Sequence, residues 1–336
     1  MKFLLSILTV LSFNSYSYAS KARVNALQGA NHIVDTQTIF ANPAHISLLN
    51  PYLTFEMGAA GNGAEGGFAR KLSNGNMLGI YLGHDNTNDL RDGTTFIKQQ
   101  NPIEVTYGKG DMAFSGSLST IDNKKSGTKE TTLVGKYGAI NGDMAYYAHL
   151  ALISSAEKKG TPDQKISSSP YITLGGNKDM GTNRFFGSLV YGNTKAEAGT
   201  VETTTKDMNI TLGWEDRSMK TTDADIYYGA MLENNSRDIE GKKVTLMQLP
   251  VFIGLELNLN SWSMFRASLS QNVILGSTKD ETVSNDADGI NNNTTVATGL
   301  GFKHNNLTLD GLLSASTTGQ INGTAFMTSA AVTYNF

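Results

Sequence analysis

From Leu53 to the end of the chain, apolar and polar residues alternate in runs of roughly ten, each bounded by Gly, Asn, Asp or Ser. A period of two marks a strand whose two faces meet different surroundings, because successive side chains point to opposite sides. Ile103, Val105 and Tyr107 share one face, with Glu104 and Thr106 on the other. Met208, Ile210, Leu212 and Trp214 oppose Asn209, Thr211 and Glu215, and Leu249, Val251, Ile253, Leu255 and Leu257 oppose Gln248 and Glu256. The last run sets Phe326, Thr328, Ala330, Val332, Tyr334 and Phe336 against Met327, Ser329, Ala331, Thr333 and Asn335. The pattern predicts no helix after residue 19.

The connections alternate in length as well. Short ones fall at 73–75, 110–111, 141–143, 179–182, 217–222, 258–260 and 304–305. Long polar ones fall at 85–100, 122–128, 156–166, 193–203, 234–242, 277–291 and 317–322. Short turns at one end and long loops at the other are what an up-and-down outer-membrane barrel requires, whereas a soluble sandwich has no reason to segregate them. The expected class is all-β: an antiparallel up-and-down transmembrane β-barrel of about sixteen strands, or about fourteen if the Gly-rich stretch 61–67 is irregular. The apolar faces then meet lipid and lipopolysaccharide, and Tyr107, Tyr137, Tyr191, Trp214 and Trp262 are placed to form interfacial girdles.

The first residues add the route. Met1 and Lys2 precede an apolar run from Phe3 to Phe13 and a small-residue end at Ser17, Tyr18 and Ala19, the anatomy of a secretory signal peptide. The run falls short of the roughly 20 apolar residues that a spanning helix needs. Cleavage after Ala19 leaves a chain that begins at Ser20, exported through the inner membrane of a bacterium and destined for its outer membrane. The expected divisions are 1–19, a signal peptide; 20–51, a segment of different character; and 52–336, the barrel.

Composition narrows the chemistry. With 27 Lys and Arg against 30 Asp and Glu, the net charge of −3 gives no basic excess for nucleic acid. The absence of Cys excludes a disulfide scaffold, a thiolate zinc site and a cysteine nucleophile. The face assignment sends Glu56, Glu104, Lys136, His149, Glu215, Glu256, Arg266, Lys303 and Asp310 into the lumen as pore-lining candidates. A charge on the lipid side near the midplane would cost about 2–4 kcal/mol for Arg or Lys. Their mixed signs imply weak selectivity and mutual pairing. The adjacent His84 and Asp85 could activate water at a rim, but neighbours on an extended chain point apart. His32, His45, His149 and His304 have no partner by spacing, and no enzyme is expected. Asp286, Asp288 and Asn291 offer alternate oxygen ligands suited to calcium but lack the full loop pattern, so no metal or other cofactor is assigned.

Two segments carry resemblances. Val332, Tyr334 and the terminal Phe336 resemble the C-terminal strand that the bacterial barrel assembly machinery reads. Residues 20–51 contain Arg23, the pair Gly29-Ala30, Asp35 and the run Phe40-Ala41-Asn42-Pro43-Ala44. This resembles the N-terminal segment of the outer-membrane fatty-acid and hydrophobic-compound transporters of the FadL type. There the segment forms a hatch in the lumen of a fourteen-stranded barrel, which implies a plug here with Asn42, Pro43 and Ala44 as its motif. The chain departs from that family at His45, where Gly often follows, and in its length and strand count.

The expected function is a porin-like channel for passive diffusion of small solutes. The alternatives are a FadL-like carrier of hydrophobic compounds or a structural, adhesive barrel. A homo-oligomer is possible through a lipid-facing stripe of small residues, with Gly299 and Gly301 as candidates.

Overall fold

The computed structural model describes residues 20–57, 64–84, 102–273, 277–280, 294–317 and 329–335. The signal segment, Asp85, the loop with Asp286, Asp288 and Asn291, and Phe336 lie outside the described residues.

The strands are β1 (Tyr52–Met57), β2 (Ala64–Lys71), β3 (Met77–Leu82), β4 (Ile103–Lys109), β5 (Met112–Asn123), β6 (Thr128–Asn141), β7 (Met144–Lys158), β8 (Gln164–Met180) and β9 (Asn183–Ala198). Then follow β10 (Val201–Asp216), β11 (Ala224–Ile239), β12 (Lys242–Gln248), β13 (Pro250–Asn258), β14 (Ser263–Asn272), β15 (Ser277–Asp280), β16 (Thr294–His304), β17 (Leu307–Thr317) and β18 (Ser329–Asn335). One end of β11 pairs with β12 and the other with β13, so these two are halves of one wall strand broken at Leu249. Likewise β14 pairs with β13 while β15 pairs with β12, making a second broken strand. The wall is thus a closed antiparallel barrel of 16 strands. The pairing of β1 with β18, Tyr52 opposite Asn335 and Thr54 opposite Thr333, closes it. Closure leaves no sheet edge, which is the only way strands can satisfy their backbone groups in lipid.

The two faces separate cleanly. Along β4 and β5 burial alternates residue by residue, with Ile103, Val105, Tyr107, Phe114 and Leu118 exposed between buried Glu104, Thr106, Ser115 and Ser117. Large apolar side chains exposed outward are stable only against hydrocarbon, so this outer band is the lipid-facing surface of an outer-membrane barrel. At the turn end the band closes on aromatic rings. Phe114 lies 5.1 Å from Tyr137, Trp214 is edge-on to Tyr228 at 5.8 Å, and Trp262 stacks on Phe302 at 6.0 Å. Tyr107, Tyr137, Trp214 and Trp262 belong to this girdle, and Tyr191 stands further up β9.

Three expectations are corrected. Four stretches assigned to long loops are strand: only 124–127, 159–163, 199–200 and 240–241 separate the strands there. Strands β7 to β11 run 15 to 17 residues, longer than the 9–11 that cross a bilayer, so the hairpins project beyond it. These extensions are Thr, Lys, Glu and Asp on the outer face, which leaves no apolar side to reveal a period of two. Across these strands Asp122, Lys129, Glu157, Lys165 and Glu197 alternate in sign as they stand opposite one another in register, and the like pair of Glu197 and Glu202 that follows is bridged by a cation. Lys195 bridges Glu197 at 3.2 Å and Glu202 at 2.9 Å.

Secondly, a helix does follow residue 19: α1 (Lys21–Ala26), with Ser20 as its N-cap, followed by 3-10 turns η1 (Thr38–Phe40) and η2 (Pro43–Leu48). Six residues are too few to show a helical period. The turn is held instead by its cap and by burial of Ala22 and Ala26 against the wall. Thirdly, Gly299 and Gly301 face inward, not toward lipid. A Cβ at Gly299 would stand 2.8 Å from that of Ala26, and one at Gly301 would stand 2.8 Å from Arg266 Nη1.

Candidate functional site

Residues 20–51 lie inside the barrel and touch its inner face around the whole circumference. Helix α1 rests on β14, β16, β17 and β18, while η2 rests on β3 to β6. Between them, residues 28–37 cross the lumen. The segment holds its own shape by local bonds. Asp35 Oδ1 accepts from the amides of Gln37 at 2.8 Å and Thr38 at 2.9 Å, and Asn42 Oδ1 accepts from the Ala44 amide at 3.0 Å, capping η2 with Pro43 at its first position. Asn42 and Ala44 are buried against Gly138 of β6, where a Cβ would stand 2.0 Å from Asn42 Oδ1. The Asn-Pro-Ala run is therefore a seat on the wall.

Charged groups fasten the rest. The Arg23 guanidinium meets Glu256 with two bonds of 2.7 Å, and Arg266, wholly buried, donates to the same carboxylate at 2.6 Å and to Asp310 at 2.6 Å. Ser20 Oγ donates to the other oxygen of Asp310 at 3.2 Å. The Lys21 amide donates to Glu56 at 2.8 Å, its ammonium pairs with Glu65, and Gln37 Nε2 donates to both carboxylates at 2.7 and 2.9 Å. Asn31 donates its amide to Glu215 at 2.8 Å, His32 Nδ1 lies 2.5 Å from the same carboxylate, and Arg184 donates to the Asn31 carbonyl at 2.6 Å. Charge-assisted bonds of this length are the strong kind, and each also relieves the cost of a charge withdrawn from water.

Burial sets the charge states within the segment. Desolvation brings His45 down to about 4 against one hydrogen bond with Thr38, whose Oγ1 lies 3.0 Å from Nδ1. His32 is also lowered by burial, although Glu215 pulls the other way. Asp35 is raised by burial, which Arg23 only partly offsets, and its Oδ2 is buried without a partner. For Arg23 burial opposes the charge, but Glu256 outweighs it and the guanidinium stays protonated.

All nine charged candidates point inward, and the structure brings most of them to the N-terminal segment. Glu56, Glu215, Glu256 and Asp310 hold it directly, and Arg266 backs two of these. His149 Nε2 lies 2.7 Å from the Ala41 carbonyl. Lys136 pairs with Glu104 at 2.9 Å, both fully buried, with its ammonium 5.6 Å from the centre of the Phe40 ring. Lys303 lines the open mouth at the turn end. His84 is occupied as a support, stacked on Phe40 at 3.4 Å and 3.3 Å from Glu65. Among the described residues no group of His, Asp and Glu could hold a metal.

The face assignment overlooked the inward aromatics Tyr147, Phe186, Tyr227 and Phe252. The signal was present as the doublets Tyr146-Tyr147, Phe185-Phe186 and Tyr227-Tyr228, since a doublet on a strand must send one ring into the lumen. Two spaces lie beside the segment, one of them lined by Tyr147 and Phe186. A cavity of about 300 Å³ lies between Val24, Leu27 and Ala30 of the segment and Tyr147, Phe186 and Met231 of the wall. A wider vestibule of about 1050 Å³ opens at the turn end, beside His32, Leu49, Arg217, Asp225, Trp262 and Lys303.

No family model matches the sequence, and no curated protein sequence matches it. Among solved structures, the chain is similar to a FadL homologue of Pseudomonas aeruginosa at 11% identity and a TM-score of 0.48, covering 95% of this chain and 98% of that one. It is similar to the outer-membrane protein OmpT of Vibrio cholerae at 11% identity and 0.45, covering 85% and 97%. It is also similar to the CymD monoaromatic hydrocarbon channel at 10% identity and 0.43, covering 94% and 97%.

Proposed function

We propose that this chain is a hatch-closed outer-membrane barrel that admits small neutral compounds of low polarity, the FadL-like reading rather than the open porin. One observation carries it: residues 20–51 bridge the lumen, tied to Glu56 and Glu65 on β1 and β2, to Asp310 and Glu256 on β17 and β13, and across the barrel to Glu215 on β10. A sixteen-stranded wall without such a segment would enclose an aqueous channel. Charged ties on both sides of the lumen serve a closure, which passive diffusion does not need. Toward the loops the inner wall carries Ser117, Ser119, Thr132, Ser154, Ser168 and Thr194, with Glu130 accepting from Ser119 at 2.9 Å and from Thr132 at 2.5 Å. The cavity of about 300 Å³ beside the hatch, with Tyr147, Phe186, Leu27 and Met231 on its wall, lies in the size range of small-molecule pockets.

The test is single-channel recording of the chain from Ser20 in a planar bilayer, beside a chain that begins at Tyr52. The full chain is expected to stay closed and the shortened one to give large, steady steps. Proteoliposome uptake by the full chain is expected to favour a neutral monoaromatic over a sugar of similar mass. Steady steps from the full chain would return the porin, and equal or faster sugar uptake would remove the preference for low polarity.

A further inference from the structure

The two spaces described above take consecutive residues of the hatch as their walls. Gly29, Ala30 and Asn31 line the aromatic cavity, while His32, Ile33 and Val34 line the vestibule at the turn end. The hatch passes from one space to the other at Arg23-Val24, beside the Glu256 tie, and again at Asn31-His32, next to the packed cluster of Leu27, Ile33, Tyr227 and Phe252, and three bonds hold the Asn31-His32 peptide against the wall. Two end on the carboxylate of Glu215, itself wholly buried, and the third comes from Arg184. On the vestibule side the other His32 nitrogen faces Asp225 at 3.8 Å, and that carboxylate is taken by Arg217 and by Lys220 at 3.2 Å. The His32 ring rests edge-on against Tyr227, with centroids 5.0 Å apart.

We infer that Asn31-His32 is the gate between the cavity and the periplasmic mouth, with Glu215 as its latch. The wall carboxylate sits on a strand paired on both sides, whereas the hatch peptide lies in a turn with no ladder to hold it beyond these three bonds. Displacing the peptide from Glu215 joins the cavity to the vestibule without disturbing the Arg23–Glu256 tie or the Asn42 seat, which lie on other strands. A solute held between α1 and the aromatic wall would then leave toward the periplasm along the Arg217 and Asp225 side. Glu215 acts here as a positioning residue, because it holds the gate and touches the solute at no point. The inference rests on the hatch reading and adds to it a route and a latch.

The natural absence of Cys permits a direct test with the full chain from Ser20. Single cysteines are introduced by Ala30→Cys on the cavity side and Val34→Cys on the vestibule side, and their reaction with a bulky, charged thiol reagent is timed with the reagent added only from the periplasmic side of protein reconstituted in vesicles in one orientation. With Glu215 intact, Ala30→Cys is expected to react at least tenfold more slowly than Val34→Cys. Adding Glu215→Ala is expected to bring Ala30→Cys to the rate of Val34→Cys, whereas adding Gln37→Ala, which loosens the hatch at the opposite wall, leaves it within about twofold of its starting rate. Heat-modified gel mobility confirms folding of each variant, and His32→Ala takes the place of Glu215→Ala if the latter fails to fold.

Equal rates with Glu215 intact would show that nothing divides the two spaces. A rate unmoved by the latch variant, or moved as much by Gln37→Ala, would show that Glu215 is one tie among many; either result overturns the gate. An open hatch would show separately, as steady conductance of the unsubstituted chain.

Discussion

Arg266 is the residue on which the lumen network turns. It is wholly buried and joins Glu256, which carries Arg23, to Asp310, which carries Ser20. In Arg266→Met, Glu256 keeps Arg23 but Asp310 loses its cation, a buried carboxylate left short of compensation at a cost of about 3–5 kcal/mol. Urea unfolding in lipid vesicles, followed by the fluorescence of Trp214 and Trp262, is expected to show that loss, and adding Asp310→Asn is expected to recover part of it. His45 makes the second prediction at this scale. Its folded value of about 4 lies below the ordinary 6.5, so the folded hatch holds it neutral. The stability this represents is complete above pH 6.5 and is lost as pH falls from there toward 4, to a limit of roughly 3 kcal/mol. Openings of the full chain in a planar bilayer are expected to rise between pH 7 and pH 5, with a smaller slope in His45→Gln. That variant can still bond Thr38 but cannot take up a proton.

At the scale of elements, the hatch and the wall are separable pieces fitted at Gly138. Replacing it with Ala places a Cβ inside the contact distance of Asn42 Oδ1 and 2.9 Å from the Ala44 amide, so the cap of η2 must give way while the β6 ladder stays intact. At about 1 kcal/mol for a lost cap, openings are expected to rise roughly fivefold. Heat-modified mobility of the barrel should be unchanged, and a barrel that no longer folds would mean that Gly138 serves the wall instead. The same separation explains what could be read from the residues alone. Strands such as β4 and β13 were legible because lipid on one side and charge on the other force a period of two. The wall position of Arg266 followed from its apolar neighbours Phe265, Ala267 and Leu269. The projecting ends of β7 to β11 were not legible, since strands with water outside and Ser, Thr and Asn inside carry no contrast. Nor were the partners of the inward charges. Arg23 and Glu256 are 233 residues apart, and only closure of the barrel makes them neighbours.

For the whole molecule, the projecting hairpins raise the question of where along the wall the membrane ends. The outer face answers it: apolar side chains such as Leu118, Leu133, Ile153, Leu174, Leu189 and Leu212 give way, strand by strand, to Thr120, Thr131 and Ser155 and then to the row of opposed charges. Val201 lies beyond that row at the tip of β9 and β10, 65% exposed and next to Glu202, where exposure to water costs little. An Arg in place of Leu189 would sit within the hydrocarbon and cost about 2–4 kcal/mol, while Val201→Arg should change stability by no more than about 0.5 kcal/mol. Urea unfolding of both variants in vesicles measures the two depths against each other. Equal costs would place the long hairpins within the membrane, tilt the barrel and remove the distinction between its spanning wall and its projecting rim. Unequal costs would fix the lipid boundary below the charge row, leaving the hatch, the aromatic cavity and the vestibule in the half of the barrel that faces the periplasm.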